Sequence, residues 1–228
     1  MCGQCGGKHL PTYQDISLKL RYSPWEDDEN FLQVYNAIKE HTLVDIMRCY
    51  ELWQLSGVLS YVPGDVLEVG VWRGGSAALV ASRMPKGRKI FLADTFYGVV
   101  KSGMYDNRYR GGEHSDTSIA TVHELFVSLG INHYSILAGV FPDDTGKDIE
   151  DTLFSFVHID VDVYQSAYDI VQWVWPRVSV GGMVIFDDYG FESCQGVQKL
   201  VHTLFPLTRT DAFFVYNLNG HGIVEKKA

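Results

Sequence analysis

From Phe31 to about Leu59 the apolar positions recur at helical spacing, first as Phe31, Val34, Tyr35 and Ile38, then as Leu43, Ile46, Met47 and Tyr50. This stripe predicts one or two amphipathic helices. The acidic run Glu26-Asp27-Asp28-Glu29 fits a helix start, because carboxylates are favoured at the positive end of the helix dipole. Beyond Gly64 the pattern changes to short apolar runs that alternate with helical stretches. Strands are expected over 65–69, 89–93, 134–137, 154–159 and 182–186, and helices over 74–83, 119–129, 166–178 and 194–204. Two last runs, 212–217 and 222–225, flank Asn219-Gly220, a strong hairpin signal. Repeated β-α units predict an α/β fold with a mostly parallel, seven-stranded sheet and helices on both faces. The hairpin adds antiparallel pairing at or near one edge, and the first helices are expected to form a cap.

Composition narrows the function. Nineteen Lys+Arg against 28 Asp+Glu give a formal net charge of -9, which disfavours phosphate backbones and anionic membranes as partners. No apolar run approaches the roughly 18–20 residues of a membrane span, and the first ten residues lack a signal-peptide core, so a cytoplasmic protein is expected. Cysteines at positions 2, 5, 49 and 194 are too few for a disulfide framework. Cys2 and Cys5 form a CxxC without the second pair of a zinc ribbon, and read as part of a Gly-rich tail. The expected organisation is a tail and helical cap over 1–60 and one catalytic domain over 61–228.

In open α/β sheets ligands bind beyond the carboxyl ends of the strands. The first strand ends in Glu68-Val69-Gly70-Val71-Trp72-Arg73-Gly74-Gly75-Ser76, whose small residues let amides at a helix N-terminus approach a ligand. Its GxxxGG spacing departs from the GxGxxG of nicotinamide enzymes. The second strand ends at Asp94-Thr95, where an acid can accept hydrogen bonds from ribose hydroxyls. A nucleoside cofactor without a pyrophosphate, such as S-adenosylmethionine, fits both features, with Glu68 helping to hold its charged end through the turn.

Carboxylates gather at two further strand ends. Asp160 and Asp162 are expected to project together from 154–159 by strand alternation, and Asp187-Asp188 follow 182–186. Like charges that close call for a cation or a shared proton. All-oxygen ligation favours magnesium, with calcium or manganese as alternatives. His158, two residues deeper, reads as a core or supporting group.

These segments together, with Ala93-Asp94-Thr95-Phe96-Tyr97-Gly98, Ile159-Asp160-Val161-Asp162-Val163-Tyr164-Gln165-Ser166 and Gly181-Gly182-Met183-Val184-Ile185-Phe186-Asp187-Asp188-Tyr189-Gly190, resemble the macrocin O-methyltransferase family over about residues 60–205. The resemblance implies a Rossmann-like class I methyltransferase, dependent on S-adenosylmethionine and Mg2+, that methylates sugar hydroxyls in macrolide and aminocoumarin antibiotic biosynthesis. It implies that Glu68, Gly70, Val71, Trp72, Gly74, Gly75 and Ser76 hold the cofactor's amino-acid end. Asp94 and Thr95 would take the ribose, and Asp160 would face both cofactor and metal. Asp160, Asp187 and Asp188 resemble the metal ligands, and Asp162 the general base. Val161 stands where the family usually has Gly, which narrows the acceptor pocket. A small glycosylated acceptor and self-association are implied as partners. Competing readings are a catechol O-methyltransferase, a nucleotide-dependent oxidoreductase and a non-catalytic module that only binds the cofactor. The stretch 96–118, with Tyr97, Tyr105, Arg108, Tyr109, Arg110 and His114, reads as a lid or binding loop over the acceptor, with a floppy surface loop as the alternative.

Overall fold

A computed structural model describes residues 22–228; the CxxC of Cys2 and Cys5 lies outside the described residues. The acidic run does start a helix. Asp28 Oδ1 accepts from the Phe31 amide at 2.9 Å and caps α1 (Glu29–Ile38). Asp45 does the same for α2 (Ile46–Leu55), accepting from the amides of Met47 and Arg48. The alternating part then runs β1 (Asp65–Val69), α3 (Gly75–Ala81), β2 (Ile90–Asp94), α4 (Ile119–Ser128), β3 (Tyr134–Ala138), β4 (Phe154–Ile159), α5 (Tyr164–Val174), β5 (Val178–Phe186), α6 (Gln195–Leu204), β6 (Ala212–Tyr216) and β7 (Gly222–Lys226).

The seven strands form one sheet in the order β3-β2-β1-β4-β5-β7-β6. The first five pair in parallel. The hairpin closes the sheet antiparallel, with β7 against β5 and β6 at the edge. The largest departure from the expected boundaries lies between α5 and β5. The helix expected to reach 178 stops at Val174, and β5 begins at Val178 rather than 182. Pro176, in the single turn Trp175–Arg177, has no amide to continue the helix, and Val178 already pairs with Phe154.

Central strands are apolar on both faces because both are covered. On one face Leu67, Val157 and Val184 pack with Ile170 of α5 and Leu200 of α6. On the other, Val66, Leu92 and Phe156 pack with Phe31, Leu52 and Leu79 from α1, α2 and α3. The helices before β1 are thus part of the core and not only a cover. Among the described residues no helix is long and apolar enough to cross a membrane.

Candidate active site

Parallel register builds the site. Backbone ladders continue one step past the strands: Gly70 donates to Ala93 O at 2.9 Å, Asp160 to Val69 O at 2.9 Å and Asp187 to Ile159 O at 3.0 Å. Gly70, Asp160 and Asp187 therefore stand side by side over the carboxyl ends of β1, β4 and β5. Gly70 has φ +89°, and a Cβ there would lie 1.6 Å from the Asp160 carbonyl oxygen, so only glycine fits.

A cavity of about 210 Å³, open to solvent on one side, lies above this row. Gly70, Val71, Trp72, Ser76, Asp94 and Thr95 line one part of it; Asp160, Asp162, Asp187 and Asp188 line another. Three expected cofactor residues sit behind the wall instead. Glu68 is buried, its Oε1 accepting from Ser76 Oγ at 2.7 Å and its Oε2 3.1 Å from His158 Nδ1. Gly74 packs against Val122 of α4. Gly75 donates to His41 O at 2.8 Å, and a Cβ there would lie 2.6 Å from that oxygen, so this glycine admits the segment 41–44 to the cavity wall. Asp94 accepts from the amides of Trp72 at 2.8 Å and Phe96 at 2.7 Å. Its carboxylate fixes the turn and still has lone pairs on the cavity side.

The acids do converge. Asp160, Asp187 and Asp188 each offer an oxygen within 4.8 Å of the others. Asp162 joins them by a different route from strand alternation. β4 ends at Ile159, and Asp162 reaches the cavity through a left-handed backbone, φ +63°. Trp72 and His114, which also line the cavity, share that sparsely populated conformation, whose cost of about 1–3 kcal/mol each marks functional sites. Around Asp162 lie Cys194 Sγ at 3.7 Å from Oδ1 and His114 Nε2 at 4.0 Å from Oδ2.

Burial opposes ionisation of Asp187, but the neighbouring imidazole of His158, the hydrogen bond with His221 and the charge of Arg48 outweigh it and hold its carboxyl well below the usual range. Burial, then the charge of Asp187, pushes Asp160 and Asp188 well above theirs. Ionising all three acids at once therefore calls for a further cation. With oxygen as the donor throughout, the cluster fits a hard divalent cation.

His158 is the expected supporting group. It pairs in register with Glu68 and lies between Glu68 and Asp187, 3.6 Å from Asp187 Oδ1. Burial disfavours its charge, yet Glu68 and Asp187 raise its pKa to about 10.

Several residues in or behind the cavity wall escaped the sequence reading. Arg48 ion-pairs with Asp187 and lies 3.4 Å from Asp188. His221 Nε2 sits 2.9 Å from Asp187 Oδ1 because Gly222 pairs with Phe186, which sets their neighbours side by side. Gly139 and Phe141 after β3 line the far wall. Only the strand-end position of Gly139 was a usable signal; a lone Arg in a helix and a lone His in a turn were not. The stretch 96–118 is free of helix and strand, as expected, but it is pinned. Buried Asp106 accepts from the Tyr164 amide at 2.9 Å, Ser166 Oγ donates to Val100 O at 2.8 Å, and Asp116 holds Trp72 and Arg73. Gly98, Val99, Val100, Tyr109 and His114 are its cavity residues.

A family model for macrocin O-methyltransferase (TylF) matches residues 36–216. A demethyldecarbamoylnovobiocin O-methyltransferase of Streptomyces niveus is 33% identical over 166 residues, 65% of this chain and 62% of the relative. An 8-demethyl-8-(2,3-dimethoxy-alpha-L-rhamnosyl)-tetracenomycin-C 4'-O-methyltransferase of Streptomyces olivaceus is 30% identical over 179 residues, 68% of this chain and 65% of the relative. The matched region thus spans less than two thirds of either relative's length. The solved O-methyltransferase NovP superposes with a TM-score of 0.69 at 23% identity, over 82% of this chain and 83% of that one, and shares its fold.

Proposed function

The chain belongs to the macrocin O-methyltransferase family, and from that premise we propose that it methylates a hydroxyl of a small glycosylated acceptor, using S-adenosylmethionine and a divalent cation. The observation that carries this reading is one cavity lined by both the glycine turn with Asp94 and the cluster Asp160, Asp162, Asp187 and Asp188. A sugar hydroxyl rather than a catechol is favoured because one relative is named for 4'-O-methylation of a rhamnosyl compound.

S-Adenosylmethionine supplies an electrophilic methyl that needs positioning rather than activation. Gly70, Val71, Trp72 and Ser76 would seat its amino-acid end against bare backbone, and Asp94 with Thr95 its ribose. Glu68, Gly74 and Gly75 act from behind, by fixing Ser76 and the turn. Asp160, Asp187 and Asp188 would hold the cation, magnesium by donor type; when bound, it lowers the pKa of an oxygen beside it. Asp162 would receive the acceptor's proton at a carboxylate oxygen, held toward the cavity by its left-handed backbone. Tyr109 and His114 from the pinned loop, and the segment 41–44, would wall off the acceptor and exclude water. That role for 41–44 keeps the helices before residue 60 as one side of the acceptor site, over a methyltransferase domain of 61–228.

The test is calorimetric titration with S-adenosylmethionine, then incubation with glycosylated acceptors and Mg2+ while mass spectrometry follows the gain of one methyl. Cofactor binding and a methylated sugar are the expected results. No cofactor binding would sink the reading, and methylation of catechols in preference to sugars would move it to the other acceptor class.

A further inference from the structure

Helix α2 sends a guanidinium into the acid cluster. Arg48 Nη1 donates to Asp187 Oδ2 and lies 3.4 Å from Asp188 Oδ1, touching two of the three carboxylates assigned above to the cation. The group is preset on its other sides. Its Nε donates to Asp45 Oδ2 at 2.8 Å, and Asp45 is the N-cap of the same helix. Its Cζ stands 4.8 Å from the centroid of the Phe191 ring. Phe191 is backed in turn by the hairpin, where a Cβ on Gly220 would lie 2.5 Å from the ring.

A guanidinium and a divalent ion cannot share the same carboxylate lone pairs at contact distance, because the two cations repel in a site of low dielectric. One must give way. Asp187 is built for that exchange: His221 and His158 face Oδ1, so the carboxylate stays anchored when Oδ2 is ceded.

We propose that Arg48 is a built-in counter-cation that holds Asp187 and Asp188 together while no divalent ion is bound and is displaced when one enters, so that metal loading loosens α2 from the end of β5. The proposal rests on Asp160, Asp187 and Asp188 being the metal site. It makes the ion compete with a residue of the chain, and it couples the ion to the 41–44 wall that precedes α2.

The test uses Mn2+ as probe on the full chain. Calorimetry compares wild type with Arg48→Met and Arg48→Lys, and hydrogen exchange follows the α2 amides of the wild type with and without Mn2+. Arg48→Met is expected to bind Mn2+ about tenfold tighter than wild type, within the range usual for coupled sites, and Arg48→Lys to stay near wild type. Metal-free Arg48→Met is expected to melt lower than wild type, with the gap closing at saturating Mn2+. In the wild type, the amides of Ile46–Leu55 are expected to exchange faster once Mn2+ is bound. Folded Arg48→Met that binds Mn2+ no tighter than wild type overturns the role of Arg48 and leaves the metal site standing. If that variant does not fold, unchanged or slower exchange in wild-type α2 overturns it. Absence of Mn2+ binding in wild type and Arg48→Met alike removes the metal site itself, and this role with it.

Discussion

At the scale of single residues, charge and backbone shape decide what each acid can do. Asp162 reaches the cavity from a left-handed backbone, beside Asp188 and Cys194 but outside the trio Asp160, Asp187 and Asp188, and that place at the edge of the trio is the one proposed for the proton acceptor. Asp162→Asn is therefore expected to lower turnover by at least about 100-fold while calorimetric cofactor binding is unchanged; near-normal turnover at saturating Mg2+ would refute the assignment. Gly70 is fixed by contact. Its substitution by Ala drives a methyl into the Asp160 carbonyl, so Gly70→Ala is expected to cost about 3 kcal/mol or more, read as a lower denaturant midpoint. Burial pushes the thiols of Cys49 and Cys194 up, and both are almost fully enclosed. In the native protein both are expected to resist iodoacetamide at pH 8 and to react once denaturant is added, as peptide mass spectrometry will show.

At the scale of elements, the first two helices matter more than a cap would. α1 and α2 bury Phe31, Ile38, Cys49 and Leu52 against the sheet-side core, and α2 carries Arg48 to the end of β5. Phe31→Ala is expected to cost about 3–5 kcal/mol, the usual penalty for emptying a buried aromatic site. Asp45→Ala removes the cap of α2 and the Nε partner of Arg48 together. It is expected to cost about 1 kcal/mol and to change Mn2+ affinity as well, whereas Asp28→Ala at the cap of α1 costs a similar amount and leaves Mn2+ binding alone. Chemical denaturation and calorimetry on the two variants separate the effects. The periodic pattern made these helices legible, because an amphipathic stripe needs only one apolar partner. It said nothing about what their polar faces would meet.

For the whole molecule, ligand binding and stability are one balance. With a divalent ion at about 100 times its Kd, stability is expected to rise by about 2.7 kcal/mol, and a chelator to reverse the rise; a melting temperature indifferent to both would argue against a specific ion site. Much of the architecture was readable along the chain. Alternating β-α units, the Asn219-Gly220 turn and acids at successive strand ends are local signals, and parallel strands with right-handed crossovers leave few ways to join them. The sequence by itself determined the parallel core, the edge of the sheet on which chemistry would lie, and the acids that would gather there. Only the tertiary structure decided which charges meet them. His221 reaches Asp187 through antiparallel register, Glu68 turns to His158 and Ser76 instead of the cavity, and Arg48 crosses from a helix 139 residues away in the chain. Those contacts depend on how elements distant in sequence pack. Local periodicity therefore carries no trace of them.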